Sequence, residues 1–405
     1  MKALILTGGA GRNLVPFSPT RPKAMTVVAG GSLLRRQLTQ LREAGVTDIT
    51  VVLGQNGEKI RHAFTDGHDL EVNLTYVEQG QPRGIVDSIL TARSRFNPGE
   101  YFLLVYGDII TSGNPFFQVL QSFNAFKGPI ASVYLPGPPT GRYGNVYLSG
   151  TRITKIVEKP SGSDLGNYVL SGMFVLPAEI FSVMEKVGGE MEKVFDHLVG
   201  ANGLNASIWE EGWIDVECPW DILAANRMVM DTWSEAQISS QANIEGNVTF
   251  RGPVRVAGDS TIKSGAVLVG PCYVGPGCYV GNNTLVRNYA SLGARSIIGY
   301  GVELKNCVLF GNSDVGRLSF VGDSVLGENV DLGSGTMTIN ENMDRSSVRV
   351  DLRGESVDSG LDKLGAFIGD DVKIGASHTI AAGTIIAAGS VVPHRVTLGS
   401  GGGDA

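Results

Sequence analysis

The sequence is poor in the residues that build metal cages and disulfide frameworks. It holds 4 cysteines and 5 histidines among 405 residues. Cys218, Cys272, Cys278 and Cys307 form no Cys-x-x-Cys pair, so neither a zinc site nor a cross-linked framework is indicated. Charged residues make up 18%, against roughly 25% in ordinary soluble domains. The 33 basic and 40 acidic side chains form no long run of one sign, which argues against a nucleic-acid partner. No apolar stretch reaches the roughly 18 residues of a membrane span. The opening MKALILTGGAG has too short an apolar core for a signal peptide. These absences point to a soluble, cytoplasmic chain with no membrane partner.

Glycine is what the chain has in excess. Of 55 glycines, 27 fall in the first 235 positions and 28 in the remaining 170, so two architectures are joined. In residues 1–235, short apolar runs such as KALILT, ITVVLG and YFLLVYGD alternate with helix-like stretches such as SLLRRQLTQLREAG. That order implies an α/β domain with a Rossmann-like, mostly parallel sheet. A linker helix is expected at about 219–235, where PWDILAANRMVMDTW has proline near its start. Ligands of such sheets sit beyond the carboxyl ends of the strands, which makes TGGAG and YGD neighbours at one cleft.

From 236 to 398 the pattern has a period of six. Ile238, Ile244, Phe250, Val256, Ile262, Leu268, Val274, Val280, Val286, Leu292, Ile298, Leu304 and Phe310 recur in register, with small or β-branched residues such as Ser260, Ala266, Cys272 and Cys278 two places earlier. This is the hexapeptide signature of a left-handed parallel β-helix, in which three repeats make one coil and the apolar residue points inward. The register fails across about 333–365, expected to be an inserted loop, and returns at Ile368, Ile374, Ile380, Ile386 and Val392. The tail 399–405 reads as disordered.

The residues that can carry chemistry cluster at strand ends. Gly8, Gly9 and Gly11 follow the first strand, where bare backbone N–H groups can wrap phosphates, and Arg12 and Lys23 supply positive charge. A glycine after a strand is also an ordinary turn, and so is a Gly-Asp pair such as Gly107-Asp108.

At this point the segment TGGAGRNLVPFSPTRPKAM resembles the signature of sugar-1-phosphate nucleotidylyltransferases, Gly-x-Gly-Thr-Arg-hydrophobic-x-Pro followed by Pro-Lys-Pro-Met. Gly9, Gly11, Pro16, Pro22, Lys23 and Met25 match it. Arg12 stands at the family's threonine and Asn13 at its arginine. The resemblance implies a nucleotide site of Gly8, Gly9, Gly11, Gln79 and Gly84, with Gln79 reading the base. It implies catalytic roles for Lys23, Arg12 and Asp108, and magnesium held by Asp108 and Asp215. It places the sugar phosphate at Gly144, Glu158, Lys159 and Gly172. Ile85 replaces a family threonine, and Ser171 a sugar-binding asparagine.

With its hexapeptide domain the chain resembles the archaeal-type bifunctional uridylyltransferases that carry a C-terminal acetyltransferase. Arg317 and Phe320 occupy the positions of that family's catalytic histidine and tyrosine, while Asn340 and Lys363 are retained. A cationic arginine cannot take a proton from an amine, so acetyl-CoA is a cofactor only if this second site is active. The resemblance also implies a homotrimer, or a larger assembly, through the β-helix.

Two readings follow. One is transfer of a nucleoside monophosphate from an NTP, UTP or dTTP favoured, to a sugar-1-phosphate, glucose-1-phosphate or N-acetylglucosamine-1-phosphate favoured, giving NDP-sugar and pyrophosphate. The alternative is a noncatalytic, sugar-nucleotide-binding regulatory paralogue that keeps the fold.

Overall fold

The structure is a computed structural model and describes residues 1–80, 84–137, 141–160, 165–201 and 203–395. The tail expected at 399–405 lies outside the described residues. Two compact units are interleaved along the chain. The first comprises Met1–Gly11, Arg21–Met25 and Ser32–Val216; the second comprises Arg12–Thr20, Thr26–Gly31 and Glu217 onward.

The first unit is built on a nine-stranded sheet. Its strands are β1 (Lys2–Leu6), β2 (Asp48–Leu53), β3 (Asn73–Glu78), β4 (Tyr101–Tyr106), β5 (Ile130–Tyr134), β6 (Asn145–Ser149), β7 (Arg152–Val157), β8 (Tyr168–Pro177) and β9 (Asn205–Trp209). They lie in the order β3-β2-β1-β4-β8-β5-β9-β7-β6. The first four run parallel, as the strand-helix alternation requires, and β8 then enters antiparallel to both β4 and β5. Ala3, Leu4 and Ile5 are completely buried because helices cover both faces, which is why β1 reads as an unbroken apolar run. The helix Leu33–Glu43 is capped by Ser32, whose side chain accepts from the Arg35 N–H, and buries Leu34, Gln37, Leu38 and Leu41 on one face.

The second unit is a parallel β-helix of three sheets, two of eight strands and one of seven. Val256 pairs with Val274 and Val274 with Leu292, eighteen residues apart each time. The inward residues Ile262, Leu268, Val280, Val286 and Ile298 are fully buried, as the period requires. The small residues preceding them bond to the next coil: Ser260 Oγ donates to Gly275 O at 2.8 Å and Thr284 Oγ1 to Gly299 O at 3.1 Å. Corners take residues such as Asn247, Asp259 and Asn283 in left-handed conformation, which their short polar side chains tolerate.

Phe310 departs from the expected register. Leu292 pairs with Leu309, only seventeen residues on, so Leu309 enters the core while Phe310 turns outward and packs on Phe17, ring centroids 5.0 Å apart. The edge between Leu304 and Leu309 has five residues instead of six, and so has the edge between Val321 and Leu326. The insertion also begins later than expected. Leu332 pairs with Ile374 and Thr338 with Ile380, so the coil continues through Thr338 before the chain leaves it. The inserted segment contains an antiparallel hairpin, Arg349–Leu352 with Glu355–Asp358, whose Val350 is fully buried. The linker helix spans Asp221–Met230 and packs within the second unit.

Candidate active site

The carboxyl ends of β1, β2 and β3 make a backbone cradle. A Cβ placed on Gly54, just after β2, would lie 2.6 Å from Gly8 Cα, and one on Gly8 would lie 2.2 Å from Gln79 Oε1. At Gly54 the neighbour is backbone, so only glycine there allows the two loops to come so close. Gly9 is exposed and faces open space, leaving its amide accessible. Gln79 follows β3 and is 7% exposed; its Oε1 has no hydrogen-bond partner among the described residues. Gly84 is exposed at φ +121° before the helix Ile85–Thr91. The structure thus brings Gly8, Gly54 and Gln79 together, with Gly84 five residues beyond Gln79.

Asp108 sits in the turn between β4 and the strand Ile109–Thr111. That short strand pairs antiparallel with Trp213–Asp215 in a register that sets Asp215 opposite Ile109, and Val216 N donates to Asp108 O at 3.0 Å. Two carboxylates more than a hundred residues apart in sequence are thereby held side by side. Lys23 Nζ lies 2.8 Å from Asp108 Oδ2 and 4.0 Å from Asp215 Oδ1. The turn is held from behind by Gln37, 3% exposed, whose Nε2 donates to Tyr106 O at 2.9 Å and Ile109 O at 3.0 Å.

Next to this pair is a pocket of about 380 Å³ lined by Asp108, Asp215, Gly144, Glu158, Lys159 and Gly172, together with Arg142, Tyr106 and Trp213. All four positions expected for the sugar phosphate therefore meet in one cavity that also contains both expected metal ligands. Glu158 Oε2 would be 2.7 Å from a Cβ on Gly144, so the carboxyl rests against bare backbone. Burial raises the Glu158 carboxyl above its ordinary value, with Lys159 opposing the shift. Lys159 itself has φ +43°, an uncommon backbone conformation for a residue with a side chain, and sits immediately before Pro160. The Tyr106 phenol is likewise raised, first by burial and then by Glu158 and Asp108, so it stays neutral and able to donate. Ser171, where the resemblance has a sugar-binding asparagine, is fully buried and does not line the pocket.

Arg12 and its neighbour Asn13 cluster with the other unit rather than with the sheet unit that carries the residues above. Arg12 is exposed. Asn13 Nδ2 donates to Glu217 Oε1 at 3.4 Å within that same unit. Gly54, Gln37 and Arg142 were not singled out from sequence. Gly54 ends the apolar run ITVVLG and Arg142 precedes Tyr143-Gly144, which are the available signals; nothing local marks Gln37.

On the β-helix, three of the four acetyltransferase-like positions have separate contacts. Arg317 is exposed. The Phe320 ring lies over Gly322, Asn340 Nδ2 donates to Asp323 Oδ2 at 2.5 Å, and Lys363 pairs with Glu341 at 3.2 Å. Asp323 is 5% exposed and also accepts from Asn306 and Lys305.

A family model described as Nucleotidyl transferase matches residues 2–232, and one described as GMPPB C-terminal domain matches 268–391. The bifunctional sugar-1-phosphate nucleotidylyltransferase/acetyltransferase of Sulfurisphaera tokodaii is 32% identical over 412 residues, spanning 98% of this chain and 99% of that protein. The bifunctional protein GlmU of Methanocaldococcus jannaschii is 30% identical and spans 93% and 89%. A solved putative glucose-1-phosphate thymidylyltransferase from Bacillus anthracis is similar in fold over 56% of this chain and 95% of that one, with TM-score 0.53 and 20% identity. The glycine cradle, the paired carboxylates and the shared length of these relatives agree, and the chain belongs to the nucleotidyl transferase family.

Proposed function

We propose that the protein joins a nucleoside triphosphate to a sugar-1-phosphate, releasing pyrophosphate and an NDP-sugar. The observation that carries this reading is the convergence of Lys23 on Asp108 and Asp215, two carboxylates that line one pocket with Glu158, Lys159 and Gly144. A sugar phosphate is already an anion near neutral pH. The chemistry is an in-line displacement: a phosphate oxygen of the sugar forms a bond to the α-phosphorus, and the bond to the β-phosphate oxygen breaks as pyrophosphate leaves. No protein nucleophile is required, so the residues must align two anions and neutralise charge.

Lys23 holds positive charge at the reacting end, and the amides of Gly8, Gly9 and Gly11 take the triphosphate. The donor set of Asp108 and Asp215, two hard carboxylates beside a phosphate path, suits magnesium, which keeps few protein ligands and takes phosphate oxygens and water for the rest. When bound, the ion would neutralise developing charge on the phosphates. The Gln79 amide can accept from the N3–H of a uracil or thymine ring and donate to a flanking carbonyl, which supports UTP or dTTP. Lys159 is placed to take the sugar phosphate, and Glu158 to accept from sugar hydroxyls, as in glucose-1-phosphate or N-acetylglucosamine-1-phosphate. These are cytoplasmic metabolites, which supports a cytoplasmic enzyme.

Acetyl transfer at the β-helix is not part of this proposal, because Arg317, Phe320, Asn340 and Lys363 provide no base. The prism is proposed to assemble the chain as a trimer, a reading supported by outward apolar side chains such as Tyr279, Ile297 and Met337, and its mass in solution is the check.

The proposal is tested by mass spectrometry of products from UTP, dTTP, CTP, ATP and GTP offered together with glucose-1-phosphate or N-acetylglucosamine-1-phosphate. UDP- or dTDP-sugar is the expected product; a purine NDP-sugar would overturn the assigned role of Gln79. The sugar site has its own signature. Glu158 accepts most strongly when ionised, and its raised carboxyl protonates at a higher pH than an ordinary one. The KM for sugar phosphate should therefore climb as pH falls, from above the usual carboxylate range. Glu158→Gln should raise that KM roughly 10-fold near neutrality, the worth of a charged hydrogen bond, and flatten its acid limb. An acid limb unchanged in the variant would assign it to another group.

A further inference from the structure

The segment between the glycine loop and Lys23 is not packed with the sheet that carries both. Residues Arg12–Thr20 and Thr26–Gly31 belong to the unit of the prism, while Met1–Gly11 and Arg21–Met25 belong to the sheet unit. The chain therefore passes into the prism unit and back twice within some twenty residues. Both stretches are gripped by coil residues or by the linker helix. Phe17 is completely buried and packs on Phe310, the side chain turned outward by the five-residue edge. Thr20 Oγ1 donates to Asp370 Oδ2 at 2.7 Å, and Asp370 Oδ1 accepts from Glu328 N at 2.8 Å. Asn226 in the helix, fully buried, accepts from Ala29 N at 2.9 Å and donates to Tyr289 O at 2.7 Å. Gly30, at φ +84°, lies so close to Tyr273 that a Cβ would sit 2.4 Å from its ring.

Asp370 is the most telling of these. It is 2% exposed, and a carboxylate buried to that degree is costly unless hydrogen bonds compensate it. One carboxylate oxygen serves the stacking of the prism, since Oδ1 accepts from Glu328 N on the preceding coil, whereas Oδ2 turns to the segment Arg12–Thr20. That second oxygen is directed to a hydroxyl 350 residues earlier in the chain. Phe310 is a parallel case, since the coil gains no core side chain from it.

We infer that Asp370, with Phe310 beside Phe17, is a positioning residue for nucleotidyl transfer. The prism clamps Arg12–Thr20 and, through the continuous chain, fixes Gly8–Gly11 on one side and Lys23 on the other. This rests on the reading that the glycine loop and Lys23 handle the triphosphate. It gives the β-helix a part in the first domain's reaction that requires no chemistry of its own, and it makes the triphosphate step, rather than sugar binding, sensitive to the prism.

The test uses the full chain with Thr20→Val, Asp370→Ala, the double variant and Asp370→Asn, which keeps a side-chain bond to Thr20. Read-outs are kcat and both KM values, the Kd for whichever of UTP, dTTP, CTP, ATP and GTP binds tightest, and hydrogen exchange over residues 12–20. Each single variant should lower kcat/KM for the triphosphate and weaken its Kd by about 10-fold. The double variant should be no worse than the poorer single, because either single already removes the Thr20–Asp370 bond. Exchange over 12–20 should quicken about 10-fold, the KM for sugar phosphate should stay in place, and Asp370→Asn should recover most of the loss. Unchanged exchange and Kd, or additive losses spread over both substrates, would overturn the inference. Wild type that releases no pyrophosphate would instead sink the functional reading, and the Kd and exchange data would still judge Asp370. Thr20→Val keeps the test sound if Asp370→Ala does not fold.

Discussion

Asp108→Asn should lower kcat by about 10³-fold, the scale on which preorganised charge and a bound ion act, while the melting temperature stays within a few degrees. The carboxylate is only 2.8 Å from Lys23 Nζ and is held beside Asp215 by the antiparallel register that joins Ile109–Thr111 to Trp213–Asp215. An amide of the same shape keeps the turn, since Gln37 grips the backbone at Tyr106 and Ile109 and not the Asp108 side chain. It removes the charge that balances Lys23 and binds a cation. Pyrophosphate release at saturating substrates with magnesium is the measurement. A loss smaller than about 10-fold would leave the metal role of Asp108 without support.

Gly54→Ala should be nearly as damaging, with kcat/KM for the triphosphate falling roughly 10²-fold, the usual cost of moving a reacting group by about an ångström. Its new Cβ would meet Gly8 Cα at 2.6 Å and Gly8 O at 2.8 Å. Both are backbone atoms at the end of a fully packed strand, so no rotamer change relieves the contact and the glycine loop must shift. Gly8→Ala differs in kind, because its Cβ meets the end of the Gln79 side chain, which can swing aside. Steady-state kinetics with each substrate varied in turn would show the Gly54 effect on the triphosphate side. An equal loss on the sugar side would mean that the whole sheet end had moved.

Much of this site is legible in the linear sequence because its parts lie at strand ends, where ligand-binding residues of α/β sheets gather. TGGAG, Gln79, YGD and the Trp-x-Asp frame of Asp215 each announce a terminus, and the sheet brings them into register. The hexapeptide period is legible for a similar reason: a repeated coil imposes one pattern many times. What escaped sequence reading depends on neighbours that only the folded chain supplies. Gly54 matters because β1 and β2 are adjacent, and Gln37 because its helix crosses behind the β4 turn. Phe310 fits the period of six, yet the coil edge before it is one residue short and hands its inward place to Leu309. Neither the division of the signature segment between two units nor the burial of Ser171 leaves a trace in composition or spacing.

Asn13, Ile85, Ser171, Arg317 and Phe320 are the departures that favour a binding protein without turnover, and the geometry around Lys23 weighs against that reading. Lys23 lies against Asp108 and near Asp215, beside the pocket that both carboxylates line with Glu158 and Lys159, and this arrangement has no evident use in a protein that only binds nucleotide sugar. The decisive measurement is pyrophosphate release by the purified protein with magnesium, a nucleoside triphosphate and a sugar-1-phosphate. The account predicts release that requires all three and disappears in Asp108→Asn. Tight nucleotide binding with no pyrophosphate from any pair, in a protein that is folded and intact, would contradict it.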